Sequence, residues 1–281
     1  MSRYSFSGHE SFHCKSLWLK KGYDYLLAGN RFADIDSVAK LGVGKNMVAS
    51  IRFWLRAFGL SQSDTLSYRG GYLLDNQHGR DPFAEDLNTL WLLHFLLVTT
   101  GVASIYRLTF VEYQREKKEF SRGELQSFIK RKCSAPEQRN VYNENTVKKD
   151  IGVLLKNYVA PKDLKNIEDF SGLLIGLGLI ISKSSDTYVY RVTRPDDIAP
   201  EIVLFALISM SNDERTLSFD VLQELSLIFC MPVVSLIEII RRIEKKYPGT
   251  VVFSDNSGIK NLHFIGSLDR FEVLDNYYDS L

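Results

Sequence analysis

Cysteine is scarce. Cys14, Cys133 and Cys230 are the whole complement of 3, far apart and with no C-x-x-C pair. That excludes a disulfide framework and a zinc ribbon, and it fits a reducing cytoplasm, which is the expected location. Net charge is scarce as well: the formal balance is +1, so bulk charge does not announce a nucleic-acid binder. No apolar run follows Met1-Ser2-Arg3-Tyr4, so no signal peptide is expected. The strongest apolar run, Leu90 to Val98, falls far short of the roughly 20 residues of a membrane span. His94 interrupts it and reads as a satisfied core residue inside a buried helix. A phosphate loop is missing too. Around Gly44-Lys45, Ala39 stands where the first glycine belongs and Asn46 where a magnesium-binding Ser or Thr belongs. No PD-(D/E)xK or HNH pattern marks a nuclease.

What is present begins at the first histidine. His9-Glu10-Ser11-Phe12-His13 spells H-E-x-x-H, a zinc-hydrolase string that works only on a helix with a third ligand. Ser7-Gly8 stand directly before it, and none of His78, His94 or His263 sits in a downstream zinc signature. The segment instead reads as a turn at Ser7-Gly8 and then a helix. Its apolar face is Phe12, Leu17 and Trp18, and Lys15, Lys20 and Lys21 give it a basic side.

The length of 281 residues and a hydrophobic share of 45% suit a globular chain of about two domains or a string of small modules. Three stretches repeat one order: helix, helix, two-stranded wing. In the first, a Gly-containing turn leads into a helix with Met47, Val48, Ile51, Trp54, Leu55 and Phe58 on one broad face. Leu66 to Leu74 follows as a hairpin, with Arg69-Gly70-Gly71 as its turn. In the second, Ser121 and Glu124 form a capping box. A helix from Asn145 turns Val147, Ile151, Leu154, Leu155 and Tyr158 inward. Another lies near Phe170 to Leu177, before a hairpin around Ser184-Ser185-Asp186. In the third, Ser218 to Ile228 is helical and Pro232 opens the next helix. A hairpin around Asp255-Asn256-Ser257-Gly258 completes it. The expected fold is mainly α with small β-hairpins (α+β), built as tandem winged-helix-like modules over 1–110, 111–210 and 211–281. Between Arg115 and Lys165 basic residues outnumber acidic ones, so the middle module is the basic one.

Candidate DNA contacts follow from these helices: Lys15, Lys45, Asn46, Ser50, Arg52, Arg56, Lys148, Lys149, Arg241, Arg242 and Lys245. Asp81, with Pro82 behind it, can cap the helix of the long apolar run, placing Glu85 and Asp86 in its first turn. The same carboxylates could instead hold magnesium or manganese and activate water against a phosphodiester. Asp81, Glu85 and Asp86 are therefore candidate metal ligands, and with His9 and Glu10 candidate catalytic residues.

Three signatures together resemble the SspB-type family. They are Phe6-x-x-His9-Glu10-x-Phe12 with Trp18-Leu19-x-Lys21-Gly22; Leu41-Gly42-Val43-Gly44-Lys45-Asn46-Met47-Val48 with Ile51-Arg52-x-Trp54; and Asp81-Pro82-Phe83-x-Glu85-Asp86 with Thr89 to His94. The resemblance implies a component of DNA phosphorothioation and antiphage defence that binds double-stranded DNA and nicks it so that sulfur can enter the backbone. It also implies partners: a cysteine desulfurase, an ATPase and a sulfur-transfer enzyme, with a homodimer among the options. Two other readings stay open: a DNA-binding regulator without chemistry, and a scaffold recruiting the sulfur-modification enzymes.

Overall fold

Four left-handed residues shape the first segment, the first of them Ser7 with φ of 73°. Gly8, Glu10 and Ser11 have φ of 97°, 47° and 66°, which no helix tolerates. The H-E-x-x-H segment is therefore irregular, and the first helix, α1 (Trp18–Leu27), starts only after it. In this computed structural model residues 3–161, 171–256 and 259–281 are described. They form two compact units that divide after Arg191.

In the first unit, α2 (Ser37–Leu41) and α3 (Lys45–Ala57) form the anticipated helix pair. Gly42 ends α2 in the left-handed conformation, with φ of 62°. On α3, Val48, Ile51, Trp54 and Leu55 are buried, as their spacing predicts, and Phe58 is buried just past its end. The hairpin comes earlier than the sequence suggests. Strands β1 (Ser61–Gln62) and β2 (Thr65–Leu66) pair antiparallel. The Arg69-Gly70-Gly71 stretch is no turn: it lies in helix α4 (Tyr68–Leu74), capped by the Ser67 side chain. Gly70 serves close packing there, since a Cβ would sit 2.5 Å from the Leu60 carbonyl oxygen.

Helix α5 (Leu87–Thr99) carries the long apolar run and is buried on nearly all sides. Its cap is Asp86, not Asp81: the Asp86 carboxylate accepts from the Asn88 and Thr89 amides. Helix α6 (Ser104–Arg107), a π-helical turn (Leu108–Tyr113) and α7 (Gln114–Glu116) follow. Then come β3 (Glu119–Phe120), α8 (Arg122–Lys132), α9 (Glu144–Tyr158), β4 (Ile180–Ser182) and β5 (Tyr188–Tyr190). The expected capping box of Ser121 and Glu124 is formed. Lys117 and the Ser121 amide pull the Glu124 carboxyl down to about 2. The strand order is β3-β5-β4, so the strand before the helix pair joins the hairpin after it. The helix expected near Phe170 to Leu177 is a short 3-10 turn, Ile175–Leu177; Phe170 lies outside the described residues.

The second unit repeats that order. Helix α10 (Pro200–Ser211) precedes β6 (Thr216–Ser218), α11 (Phe219–Ile228), α12 (Val233–Lys246), β7 (Val251–Asn256) and β8 (Ile259–Phe264), with strand order β6-β8-β7. Helix α13 (Arg270–Tyr278) packs on α10. Leu236, Ile239, Ile240 and Ile243 bury one face of α12. Ser257 and Gly258 of the expected hairpin turn lie outside the described residues. Among the described residues no single helix is long and apolar enough to cross a membrane.

Candidate functional site

Helix α9 has two faces of opposite chemistry. Asn143 caps it by accepting from the Thr146 amide at 3.0 Å. Inward, Val147, Ile151, Leu154, Leu155 and Tyr158 are buried, as their spacing predicts, and so is Asp150. Outward, Asn145, Lys148, Lys149 and Lys156 are exposed. No carboxylate among the described residues pairs with any of these three lysines. Uncompensated cations along one helix face raise the local potential far more than the chain's net charge suggests.

The buried carboxylate anchors the N-terminal signature to this helix. Asp150 accepts from the Ser7 amide at 3.2 and 3.0 Å and pairs with His9 Nε2 at 2.9 Å. The Ser11 amide donates to His9 Nδ1 at 3.1 Å. The proton therefore sits on Nε2 and points at Asp150. The His9 ring stacks on Trp54, with centroids 6.3 Å apart. Further along α9, Asn157 accepts from the Cys14 amide at 3.0 Å and donates to the Tyr106 hydroxyl at 2.6 Å. The strap from Ser7 to Cys14 is thus pinned to α9 at two points. His9 is 5% exposed with both ring nitrogens engaged, so it holds structure and does not reach a DNA backbone. Glu10 is exposed at the tip of the turn.

Beside the lysine face lies a cleft of about 500 Å³. Gly152, Leu155 and Lys156 of α9, with Val159 just past its end, form one wall, and Arg122, Ser184 and Ser185 the other. Arg122 is exposed but oriented: its Nε meets the Tyr188 hydroxyl at 3.2 Å and lies 3.7 Å from the Asp186 carboxylate. Gly152 sits inside a helix, where it is about 1 kcal/mol worse than Ala. A Cβ added there would meet nothing within 4 Å.

The other candidate cations are arranged differently. Lys45, Arg52 and Arg56 line one groove on α3, but Arg52 is paired with Asp64 at 2.8 Å. Asn46 is exposed at the start of that helix. Ser50 is fully buried and cannot contact DNA: it falls on the apolar side, one turn before Trp54. Lys15 stands over the Trp18 ring, 5.9 Å from its centroid. Lys20, expected on a basic surface, is buried against Asp24 and Asn76. On α12, Arg241 pairs with Glu244 at 2.8 Å, and Arg242 with Asp196 at 2.6 Å and Glu238 at 2.7 Å. Lys245 is exposed and has no carboxylate partner among the described residues. Among the described residues, the arginines of α12 are compensated and the lysines of α9 are not.

The carboxylates of the third signature are engaged with backbone. Asp81 accepts from the Glu85 amide at 3.0 Å and the Asp86 amide at 2.9 Å. Asp86 accepts from Asn88 at 2.9 Å and Thr89 at 3.0 Å, while Glu85 is exposed. Among the described residues no group of three or more His, Cys, Asp or Glu side chains is placed to hold a metal. Asp81, Glu85 and Asp86 as arranged here do not fit a magnesium or manganese site.

Sequence reasoning does not single out Asp150, Asn157, Gly152 or Arg122 as functional. Asp150 carries a signal: a carboxylate three residues after Val147 and one before Ile151, in the apolar stripe itself.

Two solved structures share this architecture: a magnesium ion-bound SspB crystal structure and an SspB crystal structure. Each is 25% identical, with a TM-score of 0.84, over 98% of this chain and 88% of the other. This agrees with the resemblance read from the three signatures. No curated protein matches the sequence. The family described as "Protein of unknown function (DUF4007)" matches residues 6–278. With that span matched and those signatures in place, the chain belongs to the DUF4007 family and has the fold of SspB.

Proposed function

We propose that this protein is a DNA-binding component of a bacterial phosphorothioation and antiphage defence system, and that α9 is its main DNA-contacting helix. The observation that carries this reading is the row Lys148, Lys149 and Lys156. It is exposed, has no carboxylate partner among the described residues and is set on the second helix of a helix pair flanked by a hairpin. Phosphate contacts of this kind supply most non-specific affinity and position a protein on the duplex. The strand orders β3-β5-β4 and β6-β8-β7 support reading both three-stranded units as winged-helix modules, with α9 and α12 in the place that enters a groove. The likeness to SspB supports the system, and through it the desulfurase, ATPase and sulfur-transfer enzyme as partners.

Nicking belongs to this reading as its chemical half. The similar SspB structure holds magnesium. Because the carboxylates at 81–86 do not fit such an ion here, no catalytic step is assigned to them. A supercoiled plasmid incubated with the protein, with and without magnesium or manganese, tests both halves. Retarded plasmid is the expected result, with open circles only when metal is present. Retardation without open circles leaves a DNA-binding adaptor. Neither change removes DNA from the account and favours a protein scaffold.

A further inference from the structure

We propose that the cleft between α9 and the turn joining β4 to β5 receives one nucleotide of a DNA strand, packed against the α9 backbone at Gly152. This deepens the DNA-binding reading and rests on it. Three observations converge. The first is shape and polarity: a cleft of about 500 Å³ has Leu155 and Val159 on its wall and Arg122, Lys156 and Ser184 at its rim. An apolar wall beside Lys156 and Arg122, the latter only loosely paired with Asp186 at 3.7 Å, suits a ligand that is part flat hydrocarbon and part anion, which describes a sugar and base carrying a phosphate. The second is placement: the cleft continues the row of Lys148 and Lys149, so a strand lying along those lysines is led into it.

The third observation is Gly152 itself. It occupies an interior turn of a 15-residue helix. Among the described residues no packing contact explains it: apart from its chain neighbours and the helix's own backbone, no atom lies within 4 Å of where its Cβ would be. Alanine would stabilise the helix in that open space. The remaining physical use of a glycine here is to let something from outside approach the backbone closely. In this arrangement the phosphate lies between Arg122 and Lys156, and the deoxyribose rests over Gly152.

The experiment measures thermal melting and duplex-DNA affinity, the latter by fluorescence anisotropy over a range of salt. It uses the full chain as wild type, Gly152→Ala, Gly152→Leu and the pair Lys148→Ala with Lys149→Ala. We expect Gly152→Ala to melt at or above the wild-type temperature yet bind DNA about tenfold more weakly, and Gly152→Leu more weakly still. Neither removes a charge, so the slope of log affinity against log salt stays at the wild-type value. The lysine pair lowers that slope by about 1.8. Wild-type affinity in both glycine variants, with binding weakened in the lysine pair, overturns the cleft and leaves α9 as the DNA face. Wild-type affinity in all three variants overturns the α9 reading and the cleft with it. A lower melting temperature for Gly152→Ala shows a structural glycine and overturns the inference.

Discussion

Replacing Trp54 by alanine is expected to destabilise the protein by about 3–5 kcal/mol, the usual loss for a large buried aromatic. Trp54 is fully buried. It stacks on His9, meets Phe53 and Tyr106 edge-on and lies against Phe58. Its indole N–H donates to the Phe12 carbonyl at 3.2 Å. The substitution therefore opens a cavity and releases the strap at one step. Urea unfolding followed by fluorescence or circular dichroism checks this. A midpoint within error of wild type would mean that the strap and α3 are held without Trp54, contrary to the packing described.

The second large effect lies at Asp150. Asp150→Ala leaves the buried His9 Nε2–H and the Ser7 amide without their acceptor. The buried His9 donor so orphaned costs about 1–3 kcal/mol, at the upper end because its acceptor is charged, and the part-buried Ser7 amide adds less. The loss is expected to be about 3 kcal/mol. A double-mutant cycle with His9→Ala isolates the pair. It should show a coupling of about 1 kcal/mol or more, with the double variant losing less than the sum of the singles. Additive losses would show that the contact between His9 and Asp150 contributes nothing of its own.

Local periodicity made the helix pairs legible. Val48, Ile51 and Trp54 on α3, and Val147, Ile151 and Leu154 on α9, sit inward as their spacing demands. Trp91 and His94 are buried core residues as expected, His94 bonded to the Tyr158 hydroxyl at 2.7 Å. Misreadings arose where a local pattern had two physical meanings. Arg69-Gly70-Gly71 has turn composition, but Gly70 is there to pass beneath the Leu60 carbonyl. Asp81 with Pro82 has the pattern of a helix start, yet Asp81 closes the turn before it and Asp86 caps the helix.

The site was harder to read because its partners are distant in sequence. His9 and Asp150 are separated by 141 positions. H-E-x-x-H therefore reads locally as a turn leading into a helix, when its first histidine anchors an irregular strap to a remote helix. Charge compensation has the same character. Arg241 and Arg242 on α12 look as basic as Lys148 and Lys149 on α9, and only the fold shows Glu244, Glu238 and Asp196 beside the arginines.

That difference between α9 and α12 is also where the account is most exposed to test. The decisive measurement is duplex-DNA affinity as a function of salt for two variants. One replaces Lys148, Lys149 and Lys156 by alanine, and the other replaces Arg241 and Arg242. If α9 is the DNA-contacting helix, the lysine variant binds at least about tenfold more weakly. Its log–log salt slope falls by about 2.7, because three phosphates are no longer neutralised. The arginine variant stays within about threefold of wild type, because Glu244, Glu238 and Asp196 already cancel those charges locally. Wild-type affinity and slope in the lysine variant, with or without loss in the arginine variant, would contradict the central claim.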